Sequence, residues 1–396
     1  MIQISPETQL FIREHSSDDV RALALQAKKY PDIDMPTVIT QIAGRKVAAE
    51  KIPSWWEIEK IWYPKHLSLE QCSSEITARY KARLLQGDSL TDLTGGFGID
   101  CSFLATGFKS ATYVERQEEL CEIAAHNFPV LNLNHINIKN EDGVTYLQVM
   151  SPVDCLFLDP ARRNEHGGKT VAISDCEPNV AELEELLLQK ANRVMIKLSP
   201  MLDLSLALKE LKQTQEVHIL SVNNECKELL ILLGQTSPAE ISIHCVNLFT
   251  KGTQKEQHFV FTREQEQCSE CTYTDSLETY LYEPNASLLK AGAFRSIAAA
   301  YPVRKLHPNS HLYTSDTFIE NFPGRIFRIV NQCSFNKKEV KENLADLKKA
   351  NVTVRNFPAT VAELRKRIHL AEGGDTYLFA STLNNGQKVL IRCEKV

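Results

Sequence analysis

The sequence predicts an α/β protein of several modules, built around a doubly wound sheet of mostly parallel strands. Between about residues 71 and 235, short apolar runs alternate with amphipathic segments: DSLTDLT, ATYVER, HINIKN, VDCLFLDP, NRVMIKLS, EVHILSVNN and KELLILLG. Near-continuous apolar strands separated by helices belong to a parallel sheet covered on both faces. The second observation is length, since 396 residues exceed what one hydrophobic core usually supports.

The last two runs are joined too tightly for a helical crossover, so they are expected to form an antiparallel hairpin at the sheet edge. The expected architecture for residues 71–235 is thus a Rossmann-type sheet of seven strands. Residues 1–70 read as a helical region, with apolar residues at helical spacing in DDVRALALQAKKY and VITQIAGRKVAAEKI, punctuated by Pro31, Pro36 and Pro53. Its cluster of Trp55, Trp56, Trp62 and Tyr63 reads more readily as buried packing than as a platform for stacked bases. Residues 236–324 read as a small α+β module, with ISIHCVNLF and EQHFVFTRE as strands before the helical ASLLKAGAFRSIAAAY. Residues 325–396 alternate strand, helix, strand, helix, strand and strand, and Asn385-Gly386 suits a type I′ hairpin turn.

A composition of 43% hydrophobic and 24% charged residues is ordinary for a globular protein. There is no basic leader followed by an apolar run, and no stretch approaches the roughly 18 apolar residues of a membrane span. A cytoplasmic protein with no membrane partner is expected. The eleven cysteines sit mostly in apolar patterns, as reduced thiols do. Cys268 and Cys271 have C-x-x-C spacing but lack a second pair, so no metal is expected. The net charge of −5 hides an asymmetry, because residues 325–396 hold 14 Lys/Arg against 7 Asp/Glu. Such an excess fits either an acidic partner or solvated helix faces.

Chemistry concentrates in Asp92-Leu93-Thr94-Gly95-Gly96-Phe97-Gly98, directly after a strand and before the helix DCSFLATGF. Glycines there let the backbone turn sharply and approach a ligand at a helix start, although an ordinary tight turn uses glycines too. The next strand ends in Glu115-Arg116, with Glu115 19 residues beyond Gly96, close to the spacing at which an acid accepts the ribose hydroxyls of an adenine nucleotide. The third strand ends at Asp142-Gly143. Acids at three successive strand ends suit a dinucleotide-like ligand better than packing, because carboxylates are seldom buried without partners. A nicotinamide enzyme would share these features, but Asp159-Pro160-Ala161-Arg162 follows the fourth strand, near the switch-point crevice.

In that order DLTGGFGID, YVER, EDG and DPAR resemble motifs I to IV of class I S-adenosylmethionine (SAM) dependent methyltransferases. The resemblance implies SAM as cofactor over Asp92, Thr94, Gly95, Gly96, Phe97, Gly98, Glu115, Arg116, Asp142 and Gly143, with the adenine amino group at Asp142. Asp159, Pro160 and Arg162 are then the catalytic positions. D-P-x-R resembles nucleic-acid methyltransferases in particular, in which the acid and the adjacent proline carbonyl accept hydrogen bonds from the target amine. Ala161 and Arg162 depart from the D-P-P-[YF] form, and Ser199 in KLSPML stands where enzymes acting on uridine carbon 5 carry a cysteine nucleophile. A base nitrogen or exocyclic amine is therefore favoured over carbon 5. His166, Glu165 and Asp175, in the polar segment after Arg162, are candidate bases or solvated loop residues.

EQCSSEITARYKA resembles the helix leading into the sheet in a group of bacterial methyltransferases. EPNASLLKAGAF resembles their ferredoxin-like insert, and RNFPATVAELRKRIHLAEGGDTYLFAST their THUMP-like C-terminal domain. This implies an RNA partner, tRNA or rRNA, with Arg355, Arg365, Lys366 and Arg367 as candidate contacts. The alternatives are an RNA-binding protein with a non-catalytic Rossmann domain and a methyltransferase for a non-RNA substrate.

Overall fold

A computed structural model describes residues 4–162, 172–236 and 238–396. The chain folds into two compact units, Met1–Gln215 with Leu230–Pro238, and Glu216–Leu229 with Ala239–Val396. No helix among the described residues is long and apolar enough to cross a membrane.

The first unit opens with six helices: α1 Pro6–Glu14, α2 Val20–Leu25, α3 Met35–Lys51, α4 Pro53–Trp56, α5 His66–Gln71 and α6 Glu75–Ala82. Ser5, Asp19 and Asp34 accept backbone N–H groups at the starts of α1, α2 and α3, supplying partners for donors that the helix itself cannot satisfy. Pro6, Pro36 and Pro53 fall in first turns, where their missing N–H costs nothing. Most of the aromatic cluster is packing, with Trp56 exposed. Trp55 is buried with Ile52, Tyr63, Phe97, Leu120 and Ile123, and Trp62 exchanges backbone hydrogen bonds of 2.9 and 2.8 Å with the Asn127 side chain.

Five parallel strands follow: β1 Ser89–Asp92, β2 Ser110–Glu115, β3 Ile136–Asn140, β4 Val153–Leu158 and β5 Ala191–Leu198. Helices α7 Ile99–Ala105, α8 Glu118–Val130, α9 Gly143–Val149 and α10 Val180–Lys190 connect them. The order is β5-β4-β1-β2-β3, which reverses direction at β1 and opens a crevice at the carboxyl ends of β1 and β4. After α11 Leu204–Glu210 come β6 Thr214–Val222 and β7 Glu225–Gly234. The C-terminal half of β7 belongs to this unit, and β7 stands beside β5. The arrangement is the Rossmann-like α/β fold that the alternating runs predict.

In the second unit, β6 and β7 are joined by Asn223 and Asn224 with φ of 50° and 68°, the two positive values that a type I′ turn requires. The expected hairpin is therefore present, but it is not at an edge. Strand β8 Ser242–Leu248 pairs in parallel with β6, and β9 Glu256–Thr262 pairs antiparallel with β8. ISIHCVNLF thus pairs with β6 instead of opening a separate insert, and Ile243, Cys245 and Val246 on its two faces are buried.

Beyond α12 Arg263–Cys268 lies a second sheet of β10 Tyr280–Pro284, β11 Arg304–Lys305, β12 Tyr313–Ser315, β13 Gly324–Ser334, β14 Asn351–Val354, β15 Thr376–Thr382 and β16 Lys388–Lys395. Its order is β11-β12-β10-β13-β16-β15-β14. Helices α13 Ala286–Ala291, α14 Ser296–Ala300, α15 Lys337–Leu344 and α16 Val361–Ile368 complete the unit. The strands expected in residues 325–396 are all found, but the turn at Asn385-Gly386 is of another type. Gly386 has φ of 85° while Asn385 does not have a positive φ, and Gly386 N donates to Leu383 O at 2.9 Å. That is a type I turn closed by a left-handed glycine.

Gly44 lies in the middle of α3, where alanine ordinarily stabilises a helix by about 1 kcal/mol. Here a Cβ would sit 2.3 Å from Tyr63 Cβ, and relieving such overpacking costs about 1–3 kcal/mol. Gly44→Ala is therefore expected to lower stability by up to about 2 kcal/mol in urea denaturation; a stabilised variant would show that α3 can move away from Tyr63.

Candidate cofactor and acceptor site

The carboxyl ends of β1, β2 and β3 meet around the glycine loop. Gly96 and Gly98 have φ of 54° and 85°, a left-handed backbone that other residues adopt only with strain. Gly95 is bare for a different reason: a Cβ there would be 2.2 Å from the Tyr113 ring, whose hydroxyl donates to Gly96 O. Glu115 holds the loop from the other side, accepting Gly96 N–H on Oε2 at 2.9 Å and Gln117 N–H on Oε1 at 2.8 Å.

Asp92 ends β1 almost completely buried. Its Oδ1 accepts Thr94 N–H at 2.9 Å, while Oδ2 has no hydrogen-bond partner. Burial pushes this carboxyl up to about 8, with Asp100, Asp159 and Glu115 adding repulsion. Asp142 has a structural role that the sequence pattern does not reveal. It caps α9, accepting Val144 and Thr145 N–H at 3.0 Å each. The adjoining Gly143 is needed because a Cβ would lie 2.1 Å from Leu93 O, so this cap packs directly on the glycine loop.

Across the crevice, Asp159 N donates to Thr94 Oγ1 at 2.6 Å, tying the fourth strand end to the loop. The Asp159 carboxylate pairs with Lys197 at the end of β5. Lys197 also lies 3.6 Å from Asp100, which pairs with Lys81 at 3.0 Å and accepts from Ser73 Oγ at 2.7 Å. Lys81 is fully buried and donates to Ser73 Oγ at 2.9 Å. Burial alone would raise Asp100, but Lys81 and Lys197 outweigh it and hold the carboxyl below its usual range. Burial raises Asp159, against the pull of Lys197.

Lys81, Asp100, Ser73 and Lys197 escape the sequence reading. A signal was present: Lys197 interrupts the apolar run VMIKL, and Lys81 sits on the face of α6 that buries Thr77 and Ala78. The other expected site residues have varied surroundings. Phe97 points into the core, edge-to-face with Trp55 at 5.2 Å, so its side chain packs and does not line the loop. Arg116 is exposed and 3.5 Å from Glu177. Pro160 is buried beside Asp159. The backbone of Arg162 pairs with Cys176, and its side chain, like Glu165 and His166, lies outside the described residues. Asp175 accepts Ala172 N–H at 3.2 Å, and Ser199 Oγ accepts Met201 N–H at 3.3 Å.

In the second unit the Arg355 guanidinium, about one-third exposed, pairs with the buried Glu283 at 3.0 Å. Arg365 is half-buried on α16, whereas Lys366 and Arg367 are exposed, Arg367 lying over the Phe335 ring at 4.4 Å.

A solved structure from Porphyromonas gingivalis W83, a protein assigned as a methyltransferase, is 34% identical over 100% of both chains with a TM-score of 0.87. The family of a ferredoxin-like domain matches residues 280–323, and that of a THUMP domain-like module matches residues 324–395. The chain belongs to the family of the Porphyromonas gingivalis methyltransferase. Within it, it is one of the members that carry ferredoxin-like and C-terminal THUMP-like domains, and both domains share the sheet built on β10 and β13. Weaker matches include SMU.1697c from Streptococcus mutans in complex with S-adenosylhomocysteine (SAH), 14% identical over 40% of this chain and 96% of that one, TM-score 0.30. TrmK of M. capricolum, also with SAH, is 12% identical over 41% and 68%, TM-score 0.32. No curated protein sequence matches the chain.

Because the Asp92 carboxyl is raised, the folded chain binds a proton there more tightly than the unfolded chain between the ordinary carboxylate range and about pH 8. Stability at this site therefore falls as pH rises through that window. Asp92→Asn should gain thermal stability relative to the parent as pH increases from about 4 to about 8, measured without cofactor; a constant difference would show that Asp92 does not titrate there. Lys81→Met leaves Asp100 short of a buried cation, and a loss of about 3–5 kcal/mol is expected in chemical denaturation. A loss below about 1 kcal/mol would show that Lys197 alone suffices.

Proposed function

We propose that this methyltransferase acts on RNA, at a base nitrogen or exocyclic amine, with SAM held by the glycine loop and the acceptor oriented by Asp159 and Pro160. The observation that carries the reading is the 2.6 Å hydrogen bond from Asp159 N to Thr94 Oγ1. It fixes the acceptor motif to the cofactor loop, so the distance between methyl donor and nucleophile is set by covalent neighbours and not by a mobile segment. Methyl transfer depends mainly on such alignment, which supplies about 7–11 kcal/mol in favourable cases.

The residues fit the cofactor. Asp92 presents a buried acceptor with no partner, suited to a cationic N–H donor such as an amino-acid ammonium. Gly96 offers an open cradle, since even a Cβ there would meet nothing nearer than 3.8 Å. On this reading Glu115 exchanges its Gly96 contact for ribose hydroxyls, and Asp142, the α9 cap, receives the adenine edge. The cofactor supplies a sulfonium methyl open to displacement. Asp159 and the Pro160 carbonyl accept hydrogen bonds from the target amine, and Lys197 keeps the Asp159 carboxylate oriented. Ser199 offers no thiolate, which supports nitrogen chemistry over carbon 5.

Three features support RNA as substrate: the THUMP domain-like match, the basic excess of residues 325–396, and the exposed Lys366 and Arg367 on α16. Asp159→Ala should reduce transfer of radiolabelled methyl from SAM to RNA by at least about 100-fold, while SAH affinity measured by calorimetry stays within about threefold. Lys366→Glu with Arg367→Glu should weaken RNA binding and reduce its log–log salt slope by about 1.4. Transfer to protein but not to RNA, at intact SAM affinity, would overturn the substrate assignment.

A further inference from the structure

A second cluster of chemically capable side chains lies in the other unit, on one face of β6, β8 and β9. Glu216 and His218 are two residues apart on β6 and so share a face. In the parallel pairing with β8, His244 stands opposite His218 and Ser242 opposite Glu216. On β9, His258 stands opposite Val246, two residues along from His244. The rings stack, His218 on His244 at 4.3 Å and His244 on His258 at 5.3 Å.

The hydrogen bonds sort the ring nitrogens. Glu216 Oε2 is 3.2 Å from His218 Nε2, and Ser242 Oγ is 3.1 Å from His244 Nε2, so both Nε2 atoms face the Glu216–Ser242 side. His244 Nδ1 faces the other way, 3.2 Å from His258 Nε2. One donor atom from each of Glu216, His218 and His244 falls within 4.8 Å of the other two.

We propose that Glu216, His218 and His244 bind a divalent transition-metal ion of the zinc type, with His258 as the outer partner that orients His244. Two imidazoles and a carboxylate suit zinc and its first-row neighbours better than magnesium or calcium, which favour all-oxygen sites. Zinc–nitrogen and zinc–oxygen bonds of about 2.0–2.2 Å put tetrahedral ligand atoms about 3.4 Å apart, so closing the site requires the ligand atoms to draw in and the stacked imidazoles to tilt until both Nε2 lone pairs converge on the ion. A ligating imidazole usually has its second nitrogen hydrogen-bonded, and His258 fills that place. The ligands stand on paired strands, which hold geometry better than loops do, and Glu216 is about one-third exposed, leaving a path for entry and a fourth position for water. The bound ion would clasp β6 to β8. No local spacing in the sequence announces this set, because strand pairing alone unites it, and the conspicuous Cys268–Cys271 pair is not part of it.

The test is calorimetric titration of the full chain with zinc after treatment with a chelator and desalting. One equivalent should bind, and His218→Ala and His244→Ala should each weaken binding at least about tenfold, with Glu216→Gln as a third variant that leaves both imidazoles in place. Absorption of the cobalt-loaded parent chain guards against misfolded variants: it should show nitrogen and oxygen ligation without a thiolate charge-transfer band. No binding by the parent chain, unchanged affinity in all three variants, or a thiolate band pointing to Cys268 and Cys271 would each overturn the proposal.

Discussion

Everything at the crevice depends on Asp100 being kept charged inside the protein. A carboxylate removed from water is costly unless cations and hydrogen bonds replace the lost hydration. Here α6 contributes Lys81, β5 contributes Lys197, and Ser73 donates a further hydrogen bond. The consequence is mechanical as much as electrostatic. Asp100 lies in the first turn of α7, directly after the glycine loop, so its two lysines fix the loop relative to both the helix that precedes the sheet and the strand end that carries Lys197. Lys197 then extends the same network to Asp159. The glycine loop and the Asp159 segment are linked twice, once through this ion-pair network and once through the Thr94 hydroxyl.

Against that background Asp92 stands out, because it is the buried carboxyl of the site that lacks such compensation. Its neighbours Asp100, Asp159 and Glu115 are all acidic, and its Oδ2 is unpartnered. Asp92 and Asp100 thus have opposite fates on either side of one loop: cations hold Asp100 below the ordinary range, and burial lifts Asp92 above it. A ligand bearing a positive donor would relieve Asp92 and gain from doing so.

Much of this was legible in the sequence because it is local. Apolar runs fixed the strands, and glycines and acids at strand ends marked the crevice. What was not legible is either tertiary or disguised. Lys81, Asp100 and Lys197 meet only after α6, α7 and β5 pack, so no spacing rule joins them. Asp142 looks like a ligand acid but also serves as a helix cap, and Phe97 sits inside the motif while its ring packs against Trp55. Turn chemistry misleads in the same manner: Asn385-Gly386 has the favoured type I′ composition, yet the type I′ turn is built from Asn223 and Asn224. In the basic tail, counting charge did not reveal that Arg355 pairs with the buried Glu283.

The central claim is that the glycine loop and the three strand ends around it form the SAM site. Amide hydrogen exchange of the full chain with and without saturating SAH tests it most directly. Slowed exchange is predicted for residues 94–98 and for the segments that follow Glu115 and Asp142. Unchanged exchange at residues 94–98 under demonstrated SAH saturation would contradict the account.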